Sequence, residues 1–468
     1  MNDWFYRFGR VLLNQTVRLY YRRIEVIGRD RMPATGPAII VANHPNSWAD
    51  AFLLASQLTP RKLNFVAKDS ITRAPVVGWI LRGFGLVGVA RAMDYRCQRD
   101  LARQRNQASI ATCTPRLLAG GLIAIFGEGV STDARRLQTI RKGAMRFGYA
   151  AELAAGFKLG LHWVPLGINY SAKQRFRSDV LIRVGQPFRL DDLLCPGETD
   201  PATHENAILQ RGTQRLQRNL ESLIIHIERE ELAGLIDYLA ELFGSPAGSL
   251  AARVERHQRI ARAVQYFNVA EPQRLAEVER ALRGYQRRLA AVELTDDVVR
   301  QRHATLTLRV SLLGMVKSGA LMVLNLYGWA NSFVPRWCAL LFRPFGRRPS
   351  EAPGAGGQTP RLDVAKEALW GAVGGWLGAA VAFPLQTYLV FRWAAGARGM
   401  ESGIALATLY GLSLIPSWRL YVRRRDILRE HYANLRDAFR FLVNAAPATR
   451  LQHHRRQLLR RVRALLAE

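Results

Sequence analysis

The sequence predicts an α/β fold with a largely buried sheet, followed by a helical and then a membrane-like C-terminal region. Three observations predict it. Short apolar runs alternate with helical stretches between residues 23 and 185, the pattern of strands and helices layered around one sheet. Residues 203–310 are helical, charged and leucine-rich, with no strand signal. Beyond 311, uncharged runs take over, and 368–391 holds 24 residues without a charge, above the ~20 needed to cross a bilayer.

In chain order, residues 1–22 interleave Trp4, Phe5, Phe8, Val11, Leu12, Leu19 and Tyr20 with bases, which fits an amphipathic interfacial helix or a core-packing one. Arg7 and Arg10 interrupt any apolar core there, so no signal peptide is expected. Strands are expected at 23–28, 37–43, 63–67, 85–90, 122–126, 162–170 and 179–185, each a short apolar run bounded by turn residues. Helices fall between them, after Asp50, over 71–82, 96–118 and 142–155. This organises the chain as 1–22, a globular domain over 23–200, a helical appendage over 201–310, hydrophobic segments over 311–418, and a basic helical tail over 419–468. Within the appendage, 220–243 spaces apolar residues three and four apart and reads as one long amphipathic helix. Residues 349–362, rich in Pro and Gly, read as a linker. The runs 368–391 and 403–418 are expected to form a membrane hairpin, with 311–333 re-entrant or interfacial and the Arg419–Arg425 cluster on the cytoplasmic side.

The net charge is +30. Its arginines sit beside apolar runs, as Arg343, Arg347 and Arg348 do, which favours anionic membrane lipids over nucleic acid, and no nucleic-acid-binding motif is present. The four cysteines, Cys97, Cys113, Cys195 and Cys338, show neither metal nor disulfide spacing and suit a reducing compartment. No metal site is expected. Gly83-Phe-Gly85-Leu-Val-Gly88 formally matches GxGxxG, but it follows a helix and enters a strand, the reverse of the dinucleotide-binding order.

The stretch that carries chemistry is IIVANHPNSWADAFLL, 39–54. His44 leaves a buried strand just before a helix whose first turn holds Asp50. An oriented histidine beside a carboxylate is equipped for general-base work on a hydroxyl. Ser47 and Asp50 equally fit a helix-capping box. Further on, Gly85-Leu-Val-Gly88-Val-Ala-Arg91 sets a cation just past a strand, where it could meet a phosphate. Phe126-Gly127-Glu128-Gly129 follows another strand, and Val164-Pro165-Leu166-Gly167 places a proline inside an apolar run.

Taken together, VANHPNSWAD, GFGLVGVAR, FGEGVST and VPLGINY resemble, in order, the four blocks of the glycerolipid acyltransferase family, over residues 20–190. The flanking FVAKDS around Lys68 and RLQTIRKGAMRFG around Lys142 are similar too. The resemblance implies a mixed sheet flanked by helices, and transfer of an acyl group from acyl-CoA or acyl-carrier protein to a hydroxyl of glycerol 3-phosphate or lysophosphatidate. It implies no cofactor beyond that co-substrate, and a membrane location with the catalytic domain on the cytoplasmic face. It would make His44 the base, Asp50 its orienting acid and Arg91 the phosphate ligand. Asn43, Pro45, Asn46, Lys68, Glu128, Gly129, Lys142 and Pro165 would contact substrate. Another lipid hydroxyl or amine as acceptor, or an inactive membrane scaffold, remain alternatives. Three departures stand out. Five residues separate His44 from Asp50 where four are usual, as in the subgroup near glycerol-3-phosphate and dihydroxyacetone-phosphate acyltransferases. Gly127 replaces a proline, which should loosen its loop. Ser131 stands where many members carry arginine, leaving Arg91, Lys142 or Arg135 for the phosphate.

Overall fold

The computed structural model describes residues 3–72, 78, 83–89, 99–129, 135–173, 175–198, 200–244, 248–300, 304–320, 322–346 and 364–467. They divide into two compact units. The first is formed by 1–233, 247–261 and 348–366, and the second by 234–246, 262–347 and 367–468.

The first unit is built on one seven-stranded sheet. Its strands are β1 (Arg23–Ile27), β2 (Ala38–Ala42), β3 (Leu63–Lys68), β4 (Val87–Val89), β5 (Leu122–Phe126), β6 (His162–Tyr170) and β7 (Asp179–Val184). The spatial order is β1-β7-β6-β2-β5-β3-β4. All neighbours run parallel except β6 and β7, so the sheet is mixed and every expected strand is present. Strand β2 is central and its five residues are all buried, as expected where helices cover both faces.

Alternation along the strands sends Ile39, Val41, Ile123 and Trp163 to one face. There they meet Cys113 and Leu117 of α4 (Arg99–Leu118), Met145 of α5 (Gly143–Ala154), and Leu216 and Leu220 of α6 (Glu205–Leu223). Ile40, Ala42, Ala124, Val164 and Ile182 go to the other face, against Leu53 and Leu54 of α2 (Trp48–Gln57) and Val17 of α1 (Asp3–Tyr20). Helix α1 therefore packs on the core through Val17, while Val11 and Leu12 stay exposed. A short α3 (Asp69–Thr72) follows β3, and the remainder of the helix expected over 71–82 lies largely outside the described residues.

The long helix expected over 220–243 does not form. Helix α6 ends at Leu223, and the next one, α7 (Ala233–Leu242), starts after a non-α segment. The break is made by side-chain amides that outcompete the helical ladder. Asn169 Nδ2 donates to the Leu223 carbonyl, and the Ile225 N–H donates to Asn169 Oδ1, both at 3.0 Å. Gln258 Nε2 takes the Ile224 carbonyl at 2.7 Å. The Ile227 N–H goes to the Arg135 carbonyl.

The second unit is helical. Its longest helices, Val364–Arg398 and Met400–Val443, meet at Gly399, whose φ of +89° needs glycine. They fold back as a hairpin, with Ala395 against Gly403 and Phe383 edge-on to Trp418. The 311–333 run divides between Ala304–Ala320 and Met322–Asn331, which lie along Met400–Val443 through Gly314 at His431 and Gly328 at Ser417. Among the described residues one stretch, Val373–Arg398, is long and apolar enough to span a membrane. The 349–362 linker lies outside the described residues.

Candidate active site

The site forms where β2 and β5 end together beside the longer β6, the edge at which open α/β sheets bind ligands. As β2 and β6 diverge, Asn43 keeps them joined. Its Nδ2 donates to the Ile168 carbonyl at 3.1 Å, and its Oδ1 accepts the Ile168 N–H at 2.7 Å. The chain then turns through Pro45, Asn46 and Ser47 into α2. Ser47 has φ +49° and makes no side-chain cap bond. The capping box therefore fails at its serine, and the acid does something else.

Asp50 is fully buried. Its Oδ2 accepts His44 Nδ1 at 2.9 Å and the Asn46 N–H at 2.8 Å, and its Oδ1 accepts the Tyr170 hydroxyl at 2.6 Å. A carboxylate receiving three donors leaves Nδ1 protonated, which makes Nε2 the imidazole's acceptor. The ring lies flat on Phe126, centroids 3.8 Å apart and planes within 11°. Its side chain is 18 % exposed, enough to be reached by a substrate. The five-residue spacing thus brings acid and histidine into direct contact, with Asp50 also holding the turn through Asn46.

Glu128 locks this turn from the β5 side. Its Oε1 accepts the His44 N–H at 2.7 Å and its Oε2 the Gln138 N–H at 3.0 Å. Burial pushes its carboxyl above the usual carboxylate range, and those two N–H donors pull it back. Gly129 has φ +68°, and Arg141 crosses it to donate Nε to the Glu128 carbonyl at 3.3 Å. Gly127 does not loosen the loop. Its N–H donates to Ala42 O and its carbonyl accepts the Arg141 N–H, so glycine here keeps a donor that proline would lack.

Asn43, His44, Pro45, Asn46, Asp50, Glu128 and Gly129 are therefore brought together. Lys142 is exposed at the head of α5. Lys68 ends β3, paired with Val89. Arg91 and Ser131 lie outside the described residues. Pro165 is not brought to the site: it sits in mid-strand opposite Val41, and a side chain at Gly185 would meet its ring. Strand alternation turns it to the face away from α2, because Val164 and Leu166 occupy the α2 side. Two site residues escaped the sequence reading, Tyr170 and Tyr21. Tyr170 was accessible in principle, since alternation along β6 places it on the same face as Leu166 and Ile168. Tyr21 carries no local signal. Among the described residues no cluster able to hold a metal occurs.

Residues 23–169 match the family model described as Acyltransferase. The chain carries an acyltransferase-family domain. It is 29 % identical over 154 residues to a chloroplastic 1-acyl-sn-glycerol-3-phosphate acyltransferase of Arabidopsis thaliana, covering 33 % of this chain and 38 % of that one. It is 18 % identical over 408 residues to glycerol-3-phosphate O-acyltransferase 1 of Saccharomyces cerevisiae, covering 69 % and 53 %. To a lyso-ornithine lipid O-acyltransferase of Brucella abortus it is 25 % identical over 211 residues, covering 45 % and 70 %. The chain thus spans between a third and about half of the length of the first two relatives. The acyltransferase match begins at β1 and ends within β6, so it contains His44, Asp50 and Glu128 and stops short of β7.

Proposed function

We propose that this chain is a membrane-bound O-acyltransferase, moving a fatty acyl group from acyl-CoA or acyl-carrier protein to a hydroxyl of glycerol 3-phosphate or lysophosphatidate. The observation that carries the reading is the 2.9 Å contact between His44 Nδ1 and buried Asp50, at the strand ends, with Nε2 left to act. Nε2 takes the acceptor hydroxyl's proton as the oxygen attacks the thioester carbonyl. Asp50 stabilises the imidazolium that forms. Collapse of the tetrahedral intermediate breaks the C–S bond, and the thiolate leaves with the proton that His44 returns. The acceptor phosphate falls to Arg91, with Lys142 or Arg135 as the substitute. Arg91→Lys, which keeps charge and loses the bidentate fork, should raise the acceptor KM and leave the donor KM alone.

The membrane reading is supported by the second unit's surface. Leu313, Val381, Leu409 and Leu412 are each about two-thirds exposed, and Val381 belongs to the 26-residue apolar stretch Val373–Arg398 itself. Large exposed apolar side chains on such helices suit a surface that meets lipid. A hydroxyl of a lyso-ornithine lipid is the second acceptor reading, favoured by the likeness to the Brucella abortus enzyme over 70 % of its length. The test is a panel of glycerol 3-phosphate, lysophosphatidate and lyso-ornithine lipid with labelled acyl-CoA or acyl-carrier protein and the full-length protein, products identified by mass spectrometry. No acylated product from any of the three would sink the proposal.

A further inference from the structure

Two tyrosines that the chemistry above leaves unused stand behind Asp50. Tyr170 ends β6 and donates to Asp50 Oδ1 at 2.6 Å. Tyr21 follows α1, is buried to 3 % exposure, and lies with its ring centroid 5.8 Å from that of Tyr170. Their rings are tilted at 40° to each other, and the two phenols interact electrostatically. A carboxylate gives no proton back, so Tyr170 spends its one O–H on Asp50 and toward Tyr21 can only accept. Asn46 Nδ2 in turn donates to the Tyr21 hydroxyl at 3.4 Å. The groups behind the pair thus run from Asn46 to Tyr21, across the ring contact to Tyr170, and by hydrogen bond to Asp50 and His44. Burial and the nearby Asp50 charge hold both phenols above their ordinary range, so both remain protonated donors.

We propose that Tyr170, backed by Tyr21, is a positioning residue that sets the proton affinity of the His44–Asp50 pair. The proposal rests on reading that pair as the general base. Oδ2 takes two donors, whereas Oδ1 takes the Tyr170 hydroxyl. Taking that hydroxyl away concentrates charge on a fully buried carboxylate. The pair must then bind its proton at a higher pH. The other charged and titratable groups facing it are Glu128 from the β5 turn, Tyr20 beside Tyr21, and Lys173, whose Nζ lies 3.5 Å from the Pro45 carbonyl. Replacing Tyr170 with Phe alters none of these and keeps the ring.

The test uses the full-length chain in detergent with 13C-labelled histidine, the His44 signal being the one lost in His44→Gln. In Tyr170→Phe the His44 titration midpoint should rise by about half a pH unit or more. The acid limb of the kcat/KM profile should move with it, lowering kcat/KM on that limb by about three-fold or more, with donor KM little changed. Tyr21→Phe, which leaves the Tyr170–Asp50 bond in place, should move the midpoint the same way by less. A purely structural role would lower Tm and leave the midpoint where it was, and an unmoved midpoint in Tyr170→Phe overturns the proposal. Should that variant not fold, an unmoved midpoint in Tyr21→Phe overturns it. A shifted midpoint in a protein that acylates none of the tested acceptors upholds the positioning role while removing the acyl-transfer reading.

Discussion

Asparagine at position 50 would separate charge from shape. Its Oδ1 can take over both N–H donors that now meet Asp50 Oδ2, from His44 and from Asn46, while its Nδ2 faces the Tyr170 hydroxyl, which can rotate to accept. Every hydrogen bond therefore has a replacement, and the stability cost should stay near the ~1 kcal/mol of a lost helix cap. What disappears is the negative charge facing the imidazolium. Unit charges about 4 Å apart at an effective dielectric near 20 interact by about 4 kcal/mol, roughly a thousand-fold in rate. That falls inside the ~10²- to 10⁴-fold typical of general-base catalysis. Asp50→Asn should thus keep its Tm within a few degrees and lose about three orders of magnitude in kcat, read by initial rates on membrane-reconstituted protein. Combining it with His44→Ala should cost little more than His44→Ala alone, because the two act as a unit. A kcat within a few-fold of wild type, in folded protein, would refute the reasoning and leave Asp50 as a turn-holding acid.

Glu128→Gln should behave in the opposite way. Its two oxygens each accept a different backbone N–H, so an amide must set its NH2 against one of those donors. A Tm drop equivalent to about 1–3 kcal/mol, together with reduced turnover, is expected by calorimetry and rate assay. Gly167→Ala would bring a methyl 2.6 Å from Leu223 Cβ and 2.8 Å from its carbonyl. It should cost about 1–3 kcal/mol, measurable as a lowered denaturation midpoint. His226 accepts the Leu137 N–H on Nδ1 at 3.1 Å, and burial lowers its pKa. A depressed folded-state pKa means its stabilisation is complete above the ordinary histidine value of ~6.5 and is lost as pH falls through the folded value. Between pH 7.5 and 5.5 the wild type should lose more Tm than His226→Gln, and equal losses would count against the bond.

Much of the sheet was legible because strands buried on both faces read as unbroken apolar runs, and 122–126 and 162–170 were placed to the residue. The His44–Asp50 contact was legible because strand, turn and first helical turn are contiguous in sequence. Other features depend on residues far apart. The break after Leu223 hides inside a stretch of good helical periodicity, since its causes, Asn169 and Gln258, lie 54 and 34 residues away. Gly127 looked like a loosened proline because the receiving carbonyl, Ala42, belongs to another strand. Tyr21 reaches the site only through tertiary packing, and no local pattern announces it.

The antiparallel strand β7 has a consequence for how the chain is made. It lies between β1 and β6, so β1 joins the sheet through β7 alone. The same wait governs the flanking ion pair, for Arg22 meets Asp179 across 157 residues at 2.7 Å. At ~5–20 residues per second, a ribosome needs roughly ten to thirty seconds to deliver β7 after β1 has emerged. Through that interval the edge of Ile24, Val26 and Ile27 has no partner strand to hydrogen-bond, while the parallel core of β2, β3 and β5 can already close. Until β7 arrives, β1 is therefore open to chaperones and to strand-pairing errors. The charged neighbours Arg22, Arg23 and Glu25 are placed where they would keep that waiting edge soluble.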